Sequence, residues 1–116
     1  MKHAMKLNPS AFEGIRTEKQ KYETRLFDEK RRSITLGDTI VFAKLPELKE
    51  SIELTVTNII TARDFEELFQ KFDPKEANWP TEYTHIDCAN AMLKYYSHED
   101  QLKHGVVAFE LHLNAR

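Results

Sequence analysis

Glu18-Lys19-Gln20-Lys21-Tyr22-Glu23-Thr24-Arg25-Leu26, residues 18–26, is the stretch where the pattern of the chain changes from helical to extended. From Lys19 to Phe27 the side chains alternate: Lys19, Lys21, Glu23 and Arg25 fall on one face, Tyr22, Thr24 and Leu26 on the other. This is a strand with one fully charged face. Just upstream, Asn8-Pro9-Ser10 reads as a helix cap followed by proline in the first turn, where the missing amide costs nothing. The spacing predicts a short helix to about Thr17, with Phe12 and either Ile15 or Arg16 facing inward. Ala4 to Leu7 precedes it as an opening strand.

Downstream, Asp28 to Arg32 is a polar turn or short helix, and Gly37-Asp38 turns the chain into an apolar strand, Thr39 to Phe42. Glu50 to Ala62 alternates over the longest run, predicting Ile52, Leu54, Val56 and Asn58 on the inner face. Asp64 caps a helix bearing Phe65, Leu68, Phe69 and Phe72 that ends before Pro74. Residues 73–81 form a loop with Trp79-Pro80, and helical patterns follow over 82–96 and from Ser97 to the stop at Gly105. Val106 to Leu113 closes the chain as a fifth strand. Five strands interleaved with short helices predict an α+β fold, a small twisted β-barrel with helices packed around a cleft, rather than a doubly wound parallel sheet.

The chain has 116 residues, 41% of them apolar, with 17 Lys plus Arg against 19 Asp plus Glu. One domain over residues 1–116 is expected, which excludes a multidomain enzyme. The single Cys88 permits no internal disulfide and suits a reducing compartment. Apolar runs such as 105–109 are far shorter than the roughly 20 residues of a spanning helix, and the amino end shows no apolar signal core, so no membrane partner and a cytoplasmic location are expected. Charge is uneven: residues 1–32 hold 9 basic and 5 acidic groups, net +4, and residues 33–116 hold 8 and 14, net −6. A basic first third on an acidic body either steers a phosphate-bearing ligand to one side, with Lys30, Arg31 and Arg32 as candidate nucleic-acid contacts, or is an ordinary mixed surface.

The run from Glu18 to Leu26, followed by Asp28-Glu29-Lys30-Arg31 and then Leu36-Gly37-Asp38-Thr39-Ile40, resembles the ASCH domain family of the PUA-like superfamily, in its small bacterial form. The tail from Tyr95-Tyr96-Ser97 to Lys103-His104-Gly105-Val106-Val107 resembles the same family's closing helix and strand. The family motif is Gly-x-Lys-x-x-Glu-x-Arg. Glu23 and Arg25 match it, whereas Glu18 stands at its Gly and Gln20 at its Lys.

The resemblance implies a PUA-like barrel whose motif strand points into a cleft, a guest that is RNA or a nucleotide-like ligand, and ligand-binding positions at Lys19, Gln20, Lys21, Glu23 and Arg25. It implies no cofactor, and no oligomeric state follows from it. Some small members resemble amidohydrolases acting on a modified cytidine through the motif Lys, and others are proposed ribonucleases. Hydrolysis is therefore the alternative function. An amide at position 20 cannot lose a proton as an amine does, and no histidine pair offers acid–base chemistry on RNA.

Residue chemistry is independently compatible with binding, since an Arg fork pairs a phosphate or base edge and a neighbouring carboxylate accepts from an exocyclic amine. The alternative is that Glu23 and Arg25, two apart on one face, satisfy only each other or a backbone group. The cleft is expected beside the 64–72 helix. As a partly exposed group, Arg25 is expected to contribute at most about 1 kcal/mol to stability. His85 and Cys88 have the spacing of two metal ligands on a helix, but structural zinc takes four and no second pair exists, so no metal site is expected. Trp79 is a lid or a packing residue.

Overall fold

A computed structural model describes residues 1–114; the expected domain limits of 1–116 include two residues outside that range. The elements run β1 (Lys2–Leu7), α1 (Pro9–Arg16), β2 (Tyr22–Leu26), α2 (Glu29–Arg32), β3 (Thr39–Lys44), β4 (Ser51–Ala62), α3 (Phe65–Leu68), a 3-10 turn (Pro74–Ala77), α4 (His85–Met92), α5 (His98–His104) and β5 (Val106–Leu113). The strands form one sheet in the order β1-β3-β4-β5-β2, with β1 parallel to β3 and the remaining pairs antiparallel. The sheet curls into a half-barrel with helices around it, an α+β architecture as the sequence pattern predicts.

Two apolar clusters hold it. Phe12 and Ile15 from α1 pack on Met5, Ile40, Phe42 and Leu54 inside the curl. On the outer face, Phe65, Leu68 and Phe69 cover Val106 and Ala108 together with Cys88 and Met92 of α4. A fully buried Phe or Leu is worth about 1.5–3 kcal/mol, so these faces fix which way each helix is turned. Arg16 is exposed, leaving Phe12 and Ile15 as the inner pair of α1. The Asn8 side chain accepts from the Ala11 amide and Pro9 opens the helix, as its sequence requires.

Several boundaries differ from the sequence expectations. The strand expected from Lys19 begins at Tyr22, because Glu18 adopts a left-handed conformation (φ 63°) and the Gln20 amide bonds back to the Gly14 carbonyl at 2.9 Å. The alternation through 19 and 21 is thereby broken. A bulge between Val56 and Asn58 shifts the register of β4 on β5, so Asn58 is exposed instead of inward. The helix expected over 65–72 stops at Leu68, although Phe69 and Phe72 still pack beneath it. That expected over 82–96 is confined to His85–Met92, started by a Thr84–Asp87 capping box. No helix among the described residues is long and apolar enough to cross a membrane.

Candidate functional site

The curl leaves a gap between the two edge strands, and that gap is the mouth of a cleft of about 610 Å³, within the range of small-ligand sites. Its rim comes from β1 and the first turn of α1, from residues 77–79, and from the end of α4 with Tyr95 and Tyr96. Gln20, Glu23 and Arg25 line it from the β2 side.

These three side chains form one network. The Arg25 Nε donates to Glu23 Oε2 at 2.7 Å, and its Nη2 donates across the gap to the Lys6 carbonyl at 2.8 Å. The guanidinium thus ties the free edge of β2 to that of β1. Gln20 Nε2 donates to the Tyr22 carbonyl at 2.9 Å and to Glu23 Oε1 at 3.2 Å, so each carboxylate oxygen of Glu23 accepts one bond. The amide nitrogen of Gln20 presents donors to Glu23 from the position where the motif has a lysine. Its own Oε1 has no partner, and it sits so near α1 that a Cβ on Gly14 would stand 3.1 Å from it. Glycine at 14 is therefore what allows Gln20 to tuck under the cleft.

The Glu23 and Arg25 side chains are only 11% and 15% exposed. Such a pair is less screened than one on the open surface, so removing one partner is expected to cost more than the limit of about 1 kcal/mol expected from the sequence. Beside it lies the Tyr96 phenol, whose pKa burial raises above the ordinary tyrosine value; the nearby Arg25 works against the rise and Glu23 with it. Tyr96 is held by stacking on Phe65, while Tyr95 is 63% exposed at the rim. Trp79 lines the cleft too, and its ring packs on Phe69 and stacks with Tyr83, the packing role among those the sequence left open.

Of the sequence-predicted site residues, the fold brings Gln20, Glu23 and Arg25 together and leaves the others outside the cleft. Lys19 is exposed on the turn, and Lys21 reaches Glu76 at 3.6 Å. The left-handed Glu18 is the reason, since it rotates 19–21 out of the strand's phase. Lys30, Arg31 and Arg32 sit on α2, also away from the cleft lining. Arg31 pairs with Asp28 at 2.9 Å, and Arg32 donates to the His104 carbonyl and covers the Phe27 ring. Nor does the 64–72 segment border the cleft; it is turned to the outer cluster by Phe65, Leu68 and Phe69.

Lys6, Met92, Tyr95 and Tyr96 line the cleft without having been singled out as site residues from the sequence. For Lys6 the only signal is its place between the inward Met5 and Leu7. Cys88 is buried, which pushes its thiol up to about 11, and no group of three or more metal-ligating side chains occurs among the described residues.

Comparison with known proteins returns one family. The ASCH domain model matches residues 5–114. Among solved structures, the hypothetical protein PH0355 superimposes with a TM-score of 0.85 at 32% identity, covering 98% of this chain and 100% of that one. The protein PF0455 from Pyrococcus furiosus gives 0.76 at 30% identity, with 100% of both chains covered. The ASCH protein from Zymomonas mobilis gives 0.65 at 18% identity over 96% of this chain and 66% of its own, a likeness of fold. No curated protein matches the chain.

Proposed function

The chain belongs to the ASCH domain family, and on that premise we propose that its cleft binds RNA or a nucleotide-like ligand through Glu23 and Arg25, with Gln20 as their support. The observation that carries the reading is the Glu23–Arg25 pair set into a concave, aromatic-rimmed wall. Each Glu23 oxygen retains acceptor capacity beyond its one bond, which suits the amine and ring N–H groups of a nucleobase edge. Arg25 Nη1 has no protein partner among the described residues and offers a donor to a carbonyl or ring nitrogen beside that amine. The exposed Tyr95 ring provides a face for stacking an unpaired base, the usual route to single-stranded RNA. The buried, unpaired Cys88 suits a cytoplasmic setting.

Hydrolysis of a modified nucleoside is the weaker reading. The amide of Gln20 occupies the motif position, and neither Lys19 nor Lys21 enters the cleft to replace an amine there. Fluorescence anisotropy with labelled single-stranded RNA tests the proposal. Saturable binding that weakens with salt and is reduced on the order of tenfold or more by Tyr95→Ala and by Arg25→Lys is expected. Absence of saturable binding to RNA and to mononucleotides, or binding indifferent to both substitutions, overturns it.

A further inference from the structure

The charges of the cleft are not balanced at its rim. Arg25 and Glu23 neutralise one another at 2.7 Å, and Gln20 brings no charge. Lys6, across the gap on β1, is exposed, lines the cleft, and pairs with no carboxylate among the described residues. Its near neighbours differ: Lys2 is paired with Glu53, and Lys44 with Glu13 and Glu50. The backbone of Lys6 has a separate task, since its carbonyl holds the Arg25 guanidinium at 2.8 Å. A substitution of the side chain leaves this carbonyl in place.

We propose that Lys6 is the phosphate contact of the cleft, and that its ligand is a phosphorylated nucleotide unit rather than a free nucleoside. The inference rests on the binding reading given above. An ammonium is a compact point charge without the planar fork that reads a base edge, so it suits a phosphate, whereas Glu23 and Arg25 present planar, directional groups. The surplus cation at the rim also attracts a phosphate before the base is seated, which the paired charges beneath it do not do.

The same phosphate chemistry comes from a free mononucleotide or from a strand, and the test separates them. Titrations would compare the four ribonucleosides, their 5′-monophosphates and a short single-stranded oligonucleotide on wild type, Lys6→Met and Lys6→Arg. On wild type, the monophosphates should bind on the order of tenfold more tightly than the nucleosides at low salt. Lys6→Met should erase that difference and lower the salt slope by about one, and Lys6→Arg should retain it. Tight binding of the oligonucleotide alone, with the same loss in Lys6→Met, assigns the phosphate to a strand. Nucleosides and monophosphates binding equally, or a phosphate advantage surviving in Lys6→Met, overturns the assignment while leaving the cleft a base-binding site. Failure of every ligand to bind removes both readings together.

Discussion

Arg25→Ala is the substitution whose consequence the structure changes most. The guanidinium makes a 2.7 Å charged hydrogen bond to Glu23 and a 2.8 Å bond to the Lys6 carbonyl. Removing it strands a carboxylate on a residue that is 8% exposed, leaving only the Gln20 amide as its partner. Breaking one side of a fully buried pair costs about 3–5 kcal/mol. Water can enter the cleft where the side chain stood, so the expected loss is smaller, about 2–3 kcal/mol, including about 1 kcal/mol for the lost tie between the edges of β1 and β2. For a chain of this size that corresponds to a melting point lower by about 8–12 °C.

The assay is thermal and urea unfolding of wild type, Arg25→Ala, Glu23→Gln and the double variant. Because the neutral amide of Glu23→Gln is no longer a stranded charge, the double variant should recover about 1 kcal/mol relative to the sum of the two single losses. An Arg25→Ala protein within about 0.5 kcal/mol of wild type would refute the argument. It would mean that the pair is screened and that the smaller value expected from the sequence was right.

Three further outcomes follow from other residues. Gly14→Ala should destabilise the wild type, since the new Cβ would stand 3.1 Å from Gln20 Oε1 and 3.3 Å from Gln20 Cβ; Gln20→Ala removes only the first of these contacts, so the loss should be smaller but not abolished in that background, and paired melts decide it. Asp38 has its pKa lowered by the Thr35 amide first and by His3 next, so its contribution is present above the unfolded value near 4 and is lost as pH falls toward the lower folded value. Stability curves of wild type and Asp38→Asn should therefore converge in acid, and curves that stay parallel below pH 4 contradict the pairing. Cys88, buried with its thiol raised to about 11, should react with a thiol reagent at neutral pH only as fast as the protein opens; immediate native-state labelling would contradict its burial.

What the sequence disclosed and what it concealed divide by range. α1 was legible because Asn8 and Pro9 act within one turn, and β4 as far as Val56 because alternation is local. Glu23 and Arg25 were legible as neighbours on one strand face. The grouping of Gln20 with them was not, since a single left-handed residue, Glu18, resets the period, and no residue type marks glutamate for that conformation. Lys6 was concealed for a different reason: its place at the cleft depends on the curl that brings the edges of β1 and β2 together, a property of the whole sheet.

The same contrast bears on what the glutamine does. Gln20 Nε2 donates to the Tyr22 carbonyl and to Glu23, two acceptors that an ammonium would satisfy as well, but the amide does so without charge. A lysine there would place a second cation beside Arg25 around one carboxylate, in a position 5% exposed, and would dispense with the unpartnered Oε1. Glutamine thus keeps the bonds that orient Glu23 while leaving the Glu23–Arg25 pair electrically closed. The uncompensated positive charge of the cleft then lies at its exposed edge, on Lys6, where it can meet an anion without desolvation of a buried group. On the binding reading proposed above, such a division suits a site that holds its ligand by shape and hydrogen bonding: the amine available to the cleft is a solvated surface group, and the buried position carries an amide with no nucleophilic nitrogen.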